Sequence, residues 1–223
     1  MRSLSRHEVR KVDRTAIDKL GVPGIVLMEN AGRNAADAIV EFLGGQAAGK
    51  SVAIVAGAGN NGGDGFVIAR HLSLRGASVT TFLTASAEKV AGDALVNLEV
   101  LRRFAYDVQE LTDETLAKLG ERLREFDVVV DAVGGTGVHG RLQGPAAVAV
   151  EQINAAGRPV VAVDIPTGLD CDTGEALGPT VRADMTVTFV APKKGFDAGC
   201  ASDYTGRIVL ADIGVESGKV LQD

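Results

Sequence analysis

The period of apolar positions changes along the chain. Near the N-terminus Val9, Val12, Ala16 and Leu20 recur at helical spacing behind Ser5-Arg-His-Glu8. That opening is a capping-box pattern, in which hydroxyl and carboxylate satisfy each other's orphan amides. Gly21-Val-Pro23 ends this stripe, and Met28, Ala31, Ala35, Ile39 and Phe42 set a second one that stops at Gly44-Gly45. From residue 51 the pattern switches. Val52-Ala-Ile-Val55 is a continuous apolar run too short for a helix and closed by Gly57, as expected of a strand buried on both faces. Further helices are predicted near Asp64–Arg75, Glu88–Phe104 and Pro145–Ala156 and within Asp113–Arg124. Further strands are predicted at Ser78–Leu83, Asp127–Asp131, Pro159–Asp164, Met185–Val190 and Arg207–Leu210. Strands alternating with helices of this length predict parallel βαβ units, hence an α/β fold: a three-layer αβα Rossmann-like sandwich with a mostly parallel sheet and two N-terminal helices. With no fixed-period repeat and no Pro/Ser-rich linker, residues 1–223 are expected to form one domain.

Composition narrows the function. The 223 residues carry 23 Lys+Arg and 29 Asp+Glu, a net charge of −6, with no basic run, which argues against nucleic acid as a partner. No stretch approaches the ~18 apolar residues of a membrane span, and the start MRSLSRHEVRKVDR is too polar for the core of a signal peptide. Cys171 and Cys200 show no metal spacing and the length excludes a small disulfide-stapled scaffold, so a reducing cytoplasm is the default expectation. Glycine, 28 of 223 residues, lies well above the usual ~7%, which points to specialised turns.

Ligands in such sheets bind beyond the carboxyl ends of the strands. The loop after Val52–Val55 reads Gly57-Ala-Gly59-Asn60-Asn61-Gly62-Gly63-Asp64-Gly65, and that after Val128–Val130 reads Asp131-Ala-Val-Gly134-Gly135-Thr136-Gly137-Val138-His139-Gly140. Each holds a G-x-G-x-x-G, and a following helix N-terminus would make either a phosphate cradle; a purely structural tight turn is the other reading. A hydride-transferring dehydrogenase wants a carboxylate at the end of the next strand, which here is Ser78-Val-Thr-Thr-Phe-Leu-Thr84. A third loop, Asp164-Ile-Pro166-Thr167-Gly168-Leu-Asp170, puts a carboxylate at the end of a buried strand, where it either serves the site or caps its own turn. Amide, carboxylate and hydroxyl oxygens of Asn61, Asp131 and Thr167, from neighbouring strand ends, would suit a hard cation.

The runs VAIVAGAGNNGGDGFVIARHL, GIVLMENAGRNAADAI, DVVVDAVGGTGVHG and VDIPTGLDCDTGE together resemble the YjeF N-terminal domain family, the NAD(P)H-hydrate epimerases, from about Val12 to Gly195. The resemblance implies interconversion at C6 of the R and S epimers of NADHX and NADPHX, nicotinamide nucleotides to which water has added, for repair by an S-specific dehydratase. That dehydratase is expected to be a separate protein. It further implies that Asn60, Asn61, Gly62, Gly63 and Asp64, together with Gly135, Thr136, Gly137, Val138, His139, Gly140 and Arg141, hold the phosphates and riboses. Asp164 would contact the damaged ring, and Asn61, Asp131 and Thr167 would ligate one K+ per subunit. The family often has Ser where this chain has Thr167; the hydroxyl oxygen is kept. A homodimer is implied as well.

C6 of the hydrate is a hemiaminal-like carbon, so a positioned acid/base suffices for its inversion, and Asp164 is the expected proton carrier. Lys193, in Ala-Pro-Lys-Lys-Gly195, is either half of a solvated basic pair with Lys194 or a catalytic group assisting protonation or a phosphate. His7 and His71 read as helix-surface residues, His139 as an exposed loop residue, Asp170 and Asp172 as turn formers, and Cys171 and Cys200 as bystander thiols. Two other function classes remain open: a noncatalytic nucleotide-binding or protein-interaction module of the same fold, and an oxidoreductase using intact NAD(P).

Overall fold

Helix α1 (Arg6–Asp18) starts at the predicted capping box: the Ser5 side chain accepts from Glu8 N–H while the Glu8 carboxylate accepts from Ser5 N–H. The computed structural model describes residues 2–220. Helix α2 (Gly24–Phe42) follows, and the chain then alternates: β1 (Ser51–Ala56), α3 (Asn60–Leu74), β2 (Ser78–Leu83), α4 (Gly92–Arg103) and β3 (Asp107–Glu110). Two short helices, α5 (Asp113–Ala117) and α6 (Leu119–Leu123), lead into β4 (Val128–Ala132), α7 (Gly144–Ala155), β5 (Val160–Val163) and β6 (Met185–Phe189). The described chain closes with α8 (Ser202–Thr205), β7 (Arg207–Ala211) and α9 (Ser217–Val220).

The seven strands form one sheet in the order β3-β2-β1-β4-β5-β6-β7, and every neighbouring pair is parallel rather than only most of them. Alternate strand residues feed two cores. Val52, Ile54, Val128, Val130, Val161 and Val187 pack with α2, α3 and α4, whereas Ala53, Val55, Phe82, Val129 and Val160 pack with α5, α6 and α7. Strands buried on both faces are why the sequence shows unbroken apolar runs instead of alternation. The edge strand β3 escapes that signal. Its four residues, Asp-Val-Gln-Glu, are exposed or half-buried, and Asp107 accepts from the Thr80 hydroxyl at 2.8 Å, so polar contacts rather than burial fix it. Among the described residues no helix is long and apolar enough to cross a membrane.

The first glycine motif runs into α3 rather than ending ahead of it, with Gly59 at the cap and Gly62 in the first turn. Asn60 is already helical, and a Cβ on Gly62 would fall 1.9 Å from the Gly57 carbonyl oxygen. The glycine therefore lets the first turn of the helix press against the end of β1. The stripe of small residues on α2 has a parallel use within the chain: Gly32 brings α2 so close to α3 that a Cβ there would lie 2.4 Å from Val67.

These contacts predict a sharp contrast between two neighbouring glycines. Gly62→Ala is expected to lose at least about 3 kcal/mol of unfolding free energy by overpacking against backbone. Gly59→Ala, where a Cβ meets nothing within 4 Å, is expected to stay within about 1 kcal/mol of the parent. Urea unfolding of the two variants measures both.

Candidate active site

Strand order reverses at β1, which has β2 on one side and β4 on the other, so the loops leaving β1 and β4 diverge and open a crevice at the carboxyl edge of the sheet. A cavity of about 490 Å³ lies there. Its sheet-side wall is built from Asn60, Asn61 and Asp64 after β1, Val133 to Val138 after β4, and Asp164 after β5. Its helical wall is one face of α1, with Arg10, Asp13 and Ile17, continued by Leu27, Met28 and Ala31 of α2.

Asp164 stands one residue past β5, not on it, with φ 68°, and Ile165 N–H donates across it to the Val163 carbonyl at 2.9 Å. The next strand repeats the device: Val190 also has φ 68°, and Ala191 N–H reaches the Phe189 carbonyl at 2.7 Å. Both are γ-turns of positive φ, an uncommon and strained conformation for residues with a Cβ, and both residues line the cavity. The turn aims the Asp164 carboxylate away from its own loop. Its Oδ2 accepts from Thr136 N–H at 2.8 Å, and its Oδ1 pairs with Lys193 Nζ at 2.8 Å. The turn after β5 is capped instead by Asp131, which accepts from Thr167 N–H at 2.8 Å and from its hydroxyl at 2.7 Å.

Lys193 is fully buried, which removes the solvated reading for it, while Lys194 remains exposed. Its ammonium meets Thr188 Oγ1 and the Phe189 carbonyl, each at 2.9 Å, so with Asp164 its three donors are all taken. The N-terminal segment shelters it: Leu4 N–H donates to the Pro192 carbonyl and Lys194 N–H to the Leu4 carbonyl, a short parallel bridge over the lysine.

Three further carboxyl groups sit at this edge. Burial pushes Asp13 up to about 6, with the Asp164 charge adding to the shift and Lys193 opposing it. Asp64 is held well above the ordinary range by burial, then by Asp164 and Asp13. Burial raises Asp131 to about 6 against the Thr167 and Val133 hydrogen bonds that favour its charge. The site thus gathers carboxyl groups near the Lys193 ammonium and the Arg10 side chain, and burial makes Asp13, Asp64 and Asp131 harder to ionise than ordinary aspartates. Beside them, both polar atoms of the Asn61 side chain are buried with no hydrogen-bond partner. Gly135 joins the groups, because a Cβ there would lie 2.6 Å from Asp164 Oδ2 and 3.0 Å from Asn61 Oδ1.

A family model for the YjeF-related protein N-terminus matches residues 24–195. The chain belongs to that family. An NAD(P)H-hydrate epimerase of Rhodopirellula baltica is 42% identical over 207 residues, covering 93% of this chain and 82% of the relative. A bifunctional NAD(P)H-hydrate repair enzyme of Moorella thermoacetica is 44% identical over 209 residues, 93% of this chain but only 39% of the longer protein. The yeast protein ynu0 has a crystal structure that superimposes with a TM-score of 0.79 at 28% identity, covering 94% of this chain and 87% of that one.

Of the residues that the YjeF-related pattern singles out, Asn60, Asn61, Asp64, Gly135, Thr136, Gly137, Val138 and Asp164 line the cavity. Gly62 and Gly63 lie in the first turn of α3, turned into the fold. His139, Gly140 and Arg141 fall outside the cavity walls; His139 is exposed with its ring on the Gly137 carbonyl, and Arg141 lies against Gly178. The second loop also does not run straight into a helix, since α7 starts only at Gly144. At the end of β2 the Thr84 hydroxyl donates to the Ala56 carbonyl, so no carboxylate stands where a hydride-transferring enzyme would hold a ribose. His71 is not a free surface group, for it is half-buried and bonds Glu29 at 2.8 Å. Asp170 does form the turn, accepting from Asp172 and Thr173 N–H, and Cys171 is buried with its thiol pushed up to about 12 by burial. Sequence reading missed Asp13 and Arg6. Arg10, Asp13 and Ile17 share one helical face, a spacing that was available, but charged positions beside the apolar Val9 and Val12 stripe read as solvent-facing.

The raised Asp13 group gives a pH-dependent stability. Below its ordinary value of 3.8 both folded and unfolded states are protonated; above about 6 the native state must hold an unfavourable charge. Stability attributable to Asp13 therefore falls as pH rises through that window. Relative to the parent, Asp13→Asn is expected to gain on the order of 1–3 kcal/mol between about pH 4 and about pH 8, as read by urea unfolding at both pH values.

Proposed function

We propose that this protein epimerises C6 of hydrated nicotinamide nucleotides, interconverting (R)- and (S)-NADHX or NADPHX so that an S-specific dehydratase can return the whole pool to NAD(P)H. The observation that carries this reading is the Asp164 carboxylate, ion-paired to buried Lys193 and fixed in a strained turn at the cavity wall of a YjeF-related fold. C6 bears a hydroxyl beside the ring nitrogen. Protonation of that hydroxyl lets water leave while the nitrogen lone pair forms a C=N bond, and water adding to the other face restores the hydrate. The ring becomes cationic midway, and the Asp164 carboxylate at the cavity wall stands where it can favour that charge. Asp164 accepts or returns the proton. Lys193 and Thr136 N–H keep it oriented, and the start of α3, which has no side-chain cap, suits the pyrophosphate. No electron is transferred, in keeping with Thr84 at the end of β2.

Asn61, Asp131 and Thr167 would hold one K+ per subunit. The donor set is all oxygen, and the partnerless Asn61 amide is what supports it. Bound there, the ion would supply a fixed positive charge beside the glycine loops. The family resemblance also supports a homodimer in the cytoplasm, working with a dehydratase that is fused or separate among its relatives.

With an R/S mixture of NADHX, potassium buffer and excess S-specific dehydratase, the protein is expected to convert the slow R fraction to NADH at a protein-dependent rate. Asp164→Asn is expected to lower that rate by about 10²-fold or more, and replacing K+ with tetramethylammonium to lower it as well. Conversion of R at its spontaneous rate with the hydrate still bound would favour a noncatalytic module.

A further inference from the structure

Inversion by loss and return of water is served most directly by a proton carrier at each face of the ring, because water leaves one face and arrives at the other. Asp164 can serve one of them. Both of its oxygens are committed to the sheet-side wall, Oδ1 to Lys193 and Oδ2 to Thr136 N–H, so it meets a ligand from that side. The helical wall also carries a carboxyl group. Asp13 lines the cavity from α1 and has no hydrogen-bond or ion-pair partner among the described residues, although it is within electrostatic reach of Asp164, Asp64 and Lys193. Holding a half-buried carboxyl group at the cavity wall without a protein partner costs stability and returns no fold contact, which points to a ligand as its partner.

The helix that carries Asp13 is fixed to the site at its start. Asp172 accepts from Arg6 N–H at 2.8 Å, and the Arg6 guanidinium bonds both Asp170 Oδ2 and the Val138 carbonyl at 3.0 Å. Val138 belongs to the sheet-side wall, so a single arginine ties the two walls together.

Resting on the epimerase reading above, we propose that Asp13 is the second catalytic proton carrier, serving the ring face turned toward α1 while Asp164 serves the face turned toward the strand ends. In one direction the Asp13 carboxyl gives its proton to the C6 hydroxyl, the C6–O bond breaks, and the nitrogen lone pair forms C=N. Water then adds from the other side, the π pair returns to nitrogen, and the proton released goes to the Asp164 carboxylate. The reverse turnover exchanges the roles and restores both groups. Burial keeps Asp13 protonated closer to neutrality than an ordinary aspartate, as the first of these roles requires.

The test uses separated R and S hydrates in heavy-oxygen water, following oxygen exchange at C6 and inversion together, each above the rate without protein. The wild type is expected to show both for both epimers. Asp13→Asn is expected to lose inversion by at least about 10²-fold yet keep exchange for one epimer, through Asp164 acting alone on its own face. Asp164→Asn is expected to keep exchange for the opposite epimer. Asp13→Ser repeats the measurement should Asp13→Asn lack a cooperative unfolding transition. Undiminished inversion in Asp13→Asn, equal loss of exchange for both epimers, or wild-type inversion without oxygen exchange, as ring opening would give, each overturns the assignment. A wild type that neither exchanges nor inverts would instead remove the epimerase reading itself.

Discussion

The ion pair between Asp164 and Lys193 is the contact on which the site's arrangement turns. A buried ammonium must find acceptors for all its protons, and Lys193 does so by gathering Thr188, the Phe189 carbonyl and Asp164 from two adjacent strand ends. The acceptors so gathered flank two γ-turns of positive φ, at Asp164 and at Val190. Strained turns at the cavity wall thus lie beside the ion pair. The N-terminal segment completes the arrangement, since Leu4 bridges Pro192 and Lys194 and closes the lysine off from water.

Around this pair the carboxyl groups outnumber the cationic side chains. Asp13, Asp64 and Asp131 are all pushed upward chiefly by burial, so the site holds carboxyl groups that ionise less readily beside one that is ion-paired to Lys193. Such a mixture gives at once a proton donor, a proton acceptor and an environment tolerant of positive charge on a ring. The helix start of α3, a few residues away, offers backbone N–H groups to the anionic part of the same ligand.

Much of the fold was legible because strands buried on both faces leave unbroken apolar runs, as at Val52–Val55 and Val160–Val163, and because glycine and capping residues mark their ends. The edge strand β3 left no such mark. The cavity's loops were legible for the same reason, since Asn60 to Asp64 and Gly135 to Val138 follow predicted strands. What stayed hidden depends on three dimensions. Lys193 reads as half of a basic pair until its burial is known, and Asp13 reads as the polar face of an amphipathic helix until that face is seen to close a cavity. The positive φ of Asp164 is likewise invisible in an Asp-Ile-Pro run, for only the neighbouring strand and its lysine impose it.

The most direct test of this account is a double-mutant cycle on stability, with Lys193→Met made in the parent and in Asp164→Asn. The buried pair predicts that Lys193→Met costs about 3–5 kcal/mol in the parent, by stranding the carboxylate, and at least about 2 kcal/mol less when Asp164 is already neutral. Equal losses in the two backgrounds would contradict it, and would mean that Lys193 stabilises the strand ends without holding Asp164.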